Sequence, residues 1–270
     1  MISNLEKKFK NLVKDMRVYK TPGTPGMSMI RETDQSLLIS KEKQTLFRSG
    51  VGMLLYLVKH SRPDIANPVR ELSKVLDGAT SAAFKEMLRI IKYVLDTKTL
   101  GLKLEPTMEK DQPWELNCFT DSDYAGDPDT RRSVSGYILY VKGVPICWRS
   151  KAQKCVTLSS SEAEWIALSE AVKEIMFVLQ LLENIEIPVK LPITVNVDNV
   201  GAIFMSKNVT TTSRTKHVHV RTRYVNEYQE DGVIKIIFVK SADNDSDILT
   251  KNMTSDGFIK HANKIVKARH

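Results

Sequence analysis

The sequence lacks the features of a disulfide-stabilised or membrane-spanning protein. Its 270 residues include only three cysteines, an odd number with no CxxC spacing. This pattern indicates reduced thiols in an intracellular protein. The longest apolar stretch near the front, VGMLLYLV, is too short to cross a bilayer. The charged, amphipathic start MISNLEKKFKNLVKDM has no signal-peptide pattern. We therefore expect a protein of the cytoplasm or nucleus with no membrane partner.

Positively charged residues outnumber negatively charged ones, and they are distributed unevenly along the chain. The net charge is +8. Residues 1–112 carry 20 Lys and Arg against 13 Asp and Glu, whereas residues 113–270 carry 20 against 19. A basic front half attached to a nearly neutral half with clustered acids favours a nucleic-acid partner. The alternative to a nucleic-acid partner is that the lysines only keep a basic protein soluble.

The chain divides into three segments by composition and periodicity. Residues 1–44 form a linker or strap, in which TPGTPGMSM (21–29) follows a possible basic helix. Residues 45–112 have apolar positions at helical spacing, which predicts a small helical bundle with a basic surface. Residues 113–270 begin with short strands rich in β-branched and aromatic residues. We predict an α/β domain there, with a mixed five-stranded sheet flanked by helices.

The expected elements of that domain follow from its patterning. Three strands precede one long helix, and two further strands alternate with shorter helices. The predicted strands are 115–121, 135–141, 144–150, 192–198 and 232–239, and the predicted helices are 159–185, 200–207, 217–230 and a last one from about 244.

Acidic residues stand where several of these elements begin or end. CFTDSDYAGD (118–127) is not an EF-hand loop, because Arg132 stands where the bidentate Glu belongs. Asp121 and Asp198 instead close two strands, and Glu164 lies near the start of the long helix. The cluster Asp243, Asp245 and Asp247 lies at the predicted start of the last helix. Strand ends gather at one edge of an α/β sheet, so these acids could meet there.

A group of carboxylates without His or Cys favours a hard divalent cation. Mg²⁺ is the expected ion and Mn²⁺ its substitute. Two such ions can activate water and stabilise the leaving oxygen at a phosphodiester. Each acid also has a structural alternative: Ser159 with Glu162 and Ser161 with Glu164 are overlapping capping boxes. Because Glu164 shares its helix face with Ala167 and Leu168, we assign Glu164 to the site and Glu162 to the cap.

The motifs around these acids resemble a known family. FTDSDYAGDPDTRRSVSGYILYVKGVPICWRSKAQKCVTLSSSEAEWIALSEAVKE, VDNVGAI, SRTKHVHVRTRYV and SDILTK look like the RNase H domain of copia-type retrotransposon polyproteins. The segment from about residue 45 resembles the thumb-like helices that end the reverse transcriptase of the same family. The resemblance implies an RNase H fold and endonucleolytic hydrolysis of the RNA strand of RNA–DNA hybrids with two divalent ions.

The resemblance also assigns roles to particular residues. It implies that Asp121, Glu164, Asp198 and Asp247 are the catalytic and metal-binding acids, with Asp245 as the substitute for Asp247. His217 matches the motif SRTKH and is expected to orient substrate or a loop, with a purely structural role as the alternative. Phosphate contacts are expected from charged or polar residues before the long helix, namely Arg149, Lys151, Gln153 and Lys154.

Two departures from the family pattern bear on activity. The stretch KSADNDS (240–246) has no His, so another group must pass a proton to the leaving oxygen. The chain has no Asp-Asp pair, so the polymerase palm of a reverse transcriptase is absent and a palm could only act as a partner. Two alternatives stay open: an inactive nucleic-acid-binding remnant of a retroelement polymerase, and a DNA-directed or integrase-like nuclease.

Overall fold

The structure is a computed structural model that describes residues 1–106, 112–199, 201 and 216–268. Contacts divide the chain into two compact units. The helical unit consists of Met1–Lys103 and Lys251–His270, and the sheet unit consists of Leu104–Thr250. None of the described helices combines the length and apolarity of a membrane span.

The helical unit is a small bundle closed by one short strand pair. Two of its helices begin at side-chain caps: Ser40 accepts a hydrogen bond from the Lys43 backbone N–H, and Thr80 accepts one from that of Ala83. Its strands β1 and β7 pair antiparallel. The elements are α1 (Ile2–Val13), α2 (Lys41–His60), α3 (Ala66–Ser73), α4 (Ser81–Asp96), β1 (Leu100–Leu102), α7 (Ser255–Ile265) and β7 (Val266–Ala268).

The core of this unit is built where the apolar faces of its helices meet. Leu5 and Phe9 of α1 are fully buried, as are Val51 of α2 and Ile90 of α4. Gly50 lets the helices approach, since a Cβ there would lie 2.5 Å from the Met87 sulfur. The predicted helical bundle is therefore confirmed.

The strap at residues 21–29 lies on the bundle through polar contacts. Glu86 accepts hydrogen bonds from the backbone N–H and the hydroxyl of Thr24, at 2.6 and 2.9 Å. Glu71 accepts one from the Met29 N–H at 2.7 Å. Arg89 donates to the carbonyl of Thr21 at 3.2 Å. Side chains of α3 and α4 thus supply the partners that this Pro- and Gly-rich backbone cannot find in regular structure.

The sheet unit contains a mixed five-stranded sheet with the order β4-β3-β2-β5-β6. Strands β2, β3 and β4 form an antiparallel meander, and β5 and β6 run parallel to β2. This strand order and the flanking helices are the RNase H-like fold that the sequence predicts. The elements are β2 (Leu116–Asp123), β3 (Val134–Val141), β4 (Val144–Ala152), α5 (Ser160–Asn184), β5 (Ile193–Val197), α6 (Lys216–Glu230) and β6 (Ile234–Phe238).

The two faces of this sheet carry different residues because strand side chains alternate. Tyr137 and Leu139 pack with Trp165 and Leu168 of α5 in the main core. Asp121 is paired with Gly136, so both belong to the opposite face. The sheet therefore separates the α5 core from the strand-end acid at position 121.

The end of the chain differs from its prediction. A helix from about residue 244 was expected, but short 3₁₀ turns occupy Ser241–Asp243 and Asp247–Leu249, and α7 begins only at Ser255. The Asn244 side chain bonds to neighbouring groups, which competes with helix formation. Residues 251–270 also group with the helical unit rather than with the predicted segment 113–270, because β7 pairs with β1.

The predicted helix at 200–207 lies outside the described residues, apart from its position 201.

Candidate metal site and basic cleft

Three aspartates from distant parts of the chain meet in the sheet unit. Asp121, Asp198 and Asp247 each offer a carboxylate oxygen, and these oxygens lie within 4.8 Å of one another. We call them the three-acid group. Asp121 and Asp247 are buried, and Asp198 is partly exposed. At an effective dielectric constant of 20, two charges at that separation repel by roughly 3–4 kcal/mol, which a bound cation would offset.

Strand pairing brings the first two acids together. Strands β2 and β5 are parallel neighbours with Phe119 opposite Asn196. Two residues further along each strand, the same register leads to Asp121 and Asp198. Both strands end at the same edge, so the acids that close them become neighbours.

The third acid arrives on a segment that lies against this edge. The Asn244 amide donates to the Thr120 carbonyl at 2.9 Å, next to Asp121. The Asp247 N–H donates to the Asn244 carbonyl at 3.2 Å. The Thr250 hydroxyl donates a hydrogen bond to Asp121 Oδ2. These contacts connect the segment 244–250 to the residues around Asp121.

A glycine on β3 makes room for that segment. A Cβ at Gly136 would lie 2.7 Å from Thr250 Cγ2 and 3.0 Å from Leu249 Cβ. Such separations are shorter than side chains tolerate, so the segment can lie this close only where β3 has no side chain. The sequence signal was a lone Gly in a strand, which indicates a close approach.

Glu164 reaches the same strand end from the α5 side of the sheet. It is 6% exposed, and its Oε1 accepts a hydrogen bond from the Ser122 N–H at 3.1 Å. Among the described residues it does not belong to the three-acid group at 4.8 Å. Glu162 instead accepts from the Leu158 N–H, while Ser159 accepts from the Glu162 N–H. Glu162 therefore lies in the helix cap and Glu164 on the buried face of α5, and the assignment of Glu164 to the site stays a prediction.

Asp245 occupies a different environment from Asp247. The Tyr140 hydroxyl donates to Asp245 Oδ2 at 3.3 Å. Burial, and then the nearby Asp245 charge, raise the pKa of Tyr140 well above its ordinary value, so this hydroxyl stays a donor. Of the two candidates for the fourth acid, only Asp247 is in the three-acid group.

The remaining acids of CFTDSDYAGD shape a turn. Asp127 Oδ1 accepts from the N–H groups of Asp129 and Thr130, at 3.1 and 2.8 Å. The Asp123 carboxylate covers Gly126, where a Cβ would overlap it. Asp123 and Asp127 therefore both serve the turn between β2 and β3.

The donor chemistry of the three-acid group fits a divalent cation. All three ligands are carboxylate oxygens, which Mg²⁺ and Mn²⁺ prefer over the nitrogen and sulfur donors of softer sites. The buried pair would be costly to hold together without a counter-charge. The residues present therefore suit a hard divalent ion.

A cleft of about 390 Å³ opens beside β4 and α5. It is lined by the predicted phosphate contacts and by two cations that the sequence did not indicate, Lys173 and Arg221. We call it the basic cleft. Its cations come from β4, the residues after it, α5 and α6, and are Arg149, Lys151, Lys154, Lys173 and Arg221.

One acid organises three of these cations. Glu170 lies 3.1 Å from Arg221 and 3.8 Å from both Arg149 and Lys173. Burial opposes ionisation of Glu170, but the Arg221 hydrogen bond and the surrounding cations outweigh it and lower its pKa. Arg221 also donates to the Ser169 hydroxyl at 2.8 Å. The cleft therefore keeps an excess of positive charge around one ionised carboxylate.

Two predicted substrate contacts need separate comment. Gln153 is buried, and its amide donates to the Ser135 hydroxyl at 2.8 Å and to the Ala163 carbonyl at 2.9 Å. Its amide N–H₂ therefore joins β3 to α5. His217 lies in the first turn of α6, and its side chain is outside the described part of the structure.

The strand order and the acids at the strand ends define an RNase H-like domain with a candidate divalent-metal site. No protein-family model matches the chain. Its sequence is 33% identical over 221 residues to the Pol polyprotein of transposon RE1 from Arabidopsis thaliana, which covers 82% of the chain and 15% of the relative. It is 34% identical over 215 residues to that of transposon TNT 1-94 from Nicotiana tabacum, covering 78% and 16%.

The chain belongs to the family of copia-type retrotransposon Pol polyproteins. It spans about 15% of the length of these relatives. LC11-RNase H1 isolated from compost is 15% identical, with a TM-score of 0.39, covering 54% of this chain and 96% of that one. The RNase H-like fold follows from the strand order and register of the five-stranded sheet.

Proposed function

We propose that the chain is a ribonuclease H that cuts the RNA strand of RNA–DNA hybrids endonucleolytically. The observation that carries the proposal is the three-acid group, in which carboxylates separated by up to 126 positions in sequence come within 4.8 Å. Two divalent ions, Mg²⁺ or Mn²⁺ in its place, are the proposed cofactor. Membership of the Pol family supports a nucleic-acid substrate.

The proposed ligands are the three-acid group together with Glu164. Asp121 and Asp198 lie side by side at the sheet edge, Asp247 faces them, and Glu164 approaches from α5. When bound, two divalent ions supply activation of the attacking water and stabilise charge on the departing 3′ oxygen. The protein's contribution is to hold its acids close together and partly out of solvent.

The basic cleft is the proposed contact for the substrate backbone. Ser122, whose N–H binds Glu164, is paired with Ser135, and Ser135 is paired with Lys151. At a strand spacing of about 4.8 Å, the Lys151 backbone is roughly 10 Å from that of Ser122. Nucleotides follow one another at about 3.4 Å along a strand, so a backbone at the acids could reach the cleft within about three nucleotides.

The proposed activity does not need a polymerase palm in the same chain. Within a Pol polyprotein the unit would act next to such a palm, on hybrids in a retroelement particle in the cytoplasm or in the nucleus. The isolated chain is proposed to cut hybrids but not to copy RNA.

Cleavage of a labelled RNA–DNA hybrid by the purified chain tests the proposal. We expect cuts within the RNA strand in Mg²⁺ or Mn²⁺ and none in EDTA. D121N and E164Q should each lower the rate at least 100-fold, a loss of about 2.7 kcal/mol. E162Q is the matched control, since it makes the same change two residues away on α5 and should cleave at the wild-type rate.

Other outcomes would contradict the proposal. Hybrid binding without cleavage in any divalent metal would indicate a nucleic-acid-binding remnant. Equal cutting of single-stranded DNA would indicate a DNA-directed nuclease. Wild-type activity in D121N or E164Q would remove that acid from the site.

A further inference from the structure

We infer that Thr250 is a positioning residue that sets the separation of Asp121 and Asp247 and thereby the divalent-ion affinity of the three-acid group. This inference rests on the proposed function. Thr250 itself has no carboxylate. It lies in the motif SDILTK, but the sequence predicted no role for it. Its position between two of the acids gives it a means of controlling them.

Thr250 joins the two acids through one hydroxyl. Its side chain is 1% exposed. Its Oγ1 forms a hydrogen bond with Asp121 Oδ2 and lies 3.1 Å from the Asp247 carbonyl oxygen. A hydroxyl has one proton, and a carboxylate is the stronger acceptor, so the donated bond goes to Asp121. The same oxygen stays packed against the backbone of Asp247.

The segment 244–250 is also held at its first residue, Asn244, by hydrogen bonds that do not involve Thr250. Asn244 is fully buried, and its Oδ1 accepts from the N–H and hydroxyl of Ser246, at 3.2 and 2.6 Å. Its amide holds the Thr120 carbonyl. With the Asn244 amide bonded to the Thr120 carbonyl, the Thr250 hydroxyl is a second side-chain bond between this segment and β2, at the Asp247 end.

The Asp121 and Asp247 carboxylates repel one another at this separation, and the Thr250 hydrogen bond opposes that repulsion. Without a tie, the segment 244–250 would relax away from β2 to separate Asp247 from Asp121. Groups that hydrogen-bond to metal ligands typically change metal affinity 10- to 100-fold when removed. The hydroxyl, rather than the bulk of the side chain, is the group that carries this effect.

Titration of Mn²⁺ into the intact chain by calorimetry tests the role without relying on activity. T250V, which keeps the shape and removes the hydroxyl, should bind Mn²⁺ about 10- to 100-fold more weakly. T250S, which keeps the hydroxyl, should remain within about 3-fold of wild type by the same reasoning. T157V is a matched control, because Thr157 is also buried and its hydroxyl bonds Ser133 at 2.9 Å.

A kinetic readout separates positioning from catalysis. T250V should raise the Mg²⁺ concentration for half-maximal hybrid cleavage and recover activity at high Mg²⁺. T157V should lose stability while its Mn²⁺ affinity stays at the wild-type value. Should T250V not fold, T250A against T250S isolates the hydroxyl in the same way.

The outcomes distinguish the inference from the function on which it rests. Wild-type Mn²⁺ affinity in T250V or T250A overturns the inference while leaving the ribonuclease intact. Equal loss in T250S and T250V also overturns it, because shape would then matter and not the hydroxyl. Failure of the wild-type chain to bind Mn²⁺ overturns the proposed metal site together with the inference.

Discussion

Both units of this protein bury carboxylates, but they surround them differently. In the helical unit Asp64 is 1% exposed and receives two hydrogen bonds from Arg62, at 2.9 and 2.8 Å. Glu71 of the same unit lies against Arg70 and Lys74. In the sheet unit Asp121 and Asp247 are equally buried, yet their carboxylates lie near another carboxylate.

The difference separates a structural acid from a candidate ligand. A buried carboxylate that is paired with the guanidinium of an arginine is neutralised within the protein and contributes to folding. Buried acids that face one another need a charge from outside the protein to become favourable. Burial alone therefore does not identify a site, whereas the sign of the neighbouring charge does.

The cations of the two units differ in the same way. Arg62 is fully buried and is matched to one carboxylate. Arg149, Lys173 and Arg221 are partly exposed around the single Glu170. The Arg62 charge is compensated by its carboxylate partner. The cations around Glu170 leave positive charge that could bind a polyanion.

The largest expected effect is on the buried pair of the helical unit. D64N should lower the free energy of unfolding by about 3–5 kcal/mol, since it leaves the buried Arg62 charge uncompensated. Urea denaturation followed by circular dichroism measures this loss. D77N, in the exposed Arg31–Asp77 pair, is the control and should cost less than about 1 kcal/mol. A D64N loss as small as that of D77N would break the comparison.

A smaller effect is expected in the basic cleft. R221A should weaken hybrid binding by roughly 3- to 10-fold and reduce the slope of log affinity against log salt by about 1. Fluorescence anisotropy in EDTA gives both quantities without cleavage. K190A, which removes a cation paired with Glu115, should leave both quantities unchanged. An unaltered salt slope in R221A would exclude the cleft as a phosphate contact.

The smallest effect is expected for the stability of the metal-free sheet unit. Because D121N removes one of three neighbouring negative charges, thermal unfolding in EDTA should show a stability within about 1 kcal/mol of wild type, or higher. Added Mg²⁺ should then stabilise wild type but not D121N. A loss as large as that of D64N would mean that Asp121 is neutralised inside the protein, which would remove the distinction between the two units.

Much of the sheet unit could be predicted from local patterns. The strands alternate or run apolar over five to nine residues, and α5 begins after its N-cap Ser159, whose capping box with Glu162 is visible in the sequence. The helical period then placed Glu164 on the buried face. These features depend on neighbours within a few residues, so periodicity and capping describe them well.

The segment 244–250 could not be predicted in the same way. Its acids look like the first turn of a helix, which was the expectation. Its actual course depends on Thr120 and Gly136, more than 100 positions away, and on side-chain bonds of Asn244. The periodicity of a sequence does not report such long-range contacts. For the same reason the sequence did not indicate a role for Thr250. Lys173 and Arg221 were missed because only the packing of α5 and α6 brings them to β4.

By itself, the sequence determined which residues form strands and helices, which family the motifs belong to, and that four acids stand near element ends. The tertiary structure decided which of those acids meet. It joined Asp121 to Asp198 through the parallel register of β2 and β5, brought Asp247 rather than Asp245 to them, and left Glu164 bonded to the Ser122 N–H, outside the three-acid group. The physical reason is that chain order fixes local hydrogen bonds, whereas distances of a few ångströms between remote carboxylates depend on strand pairing and on the space left by Gly136.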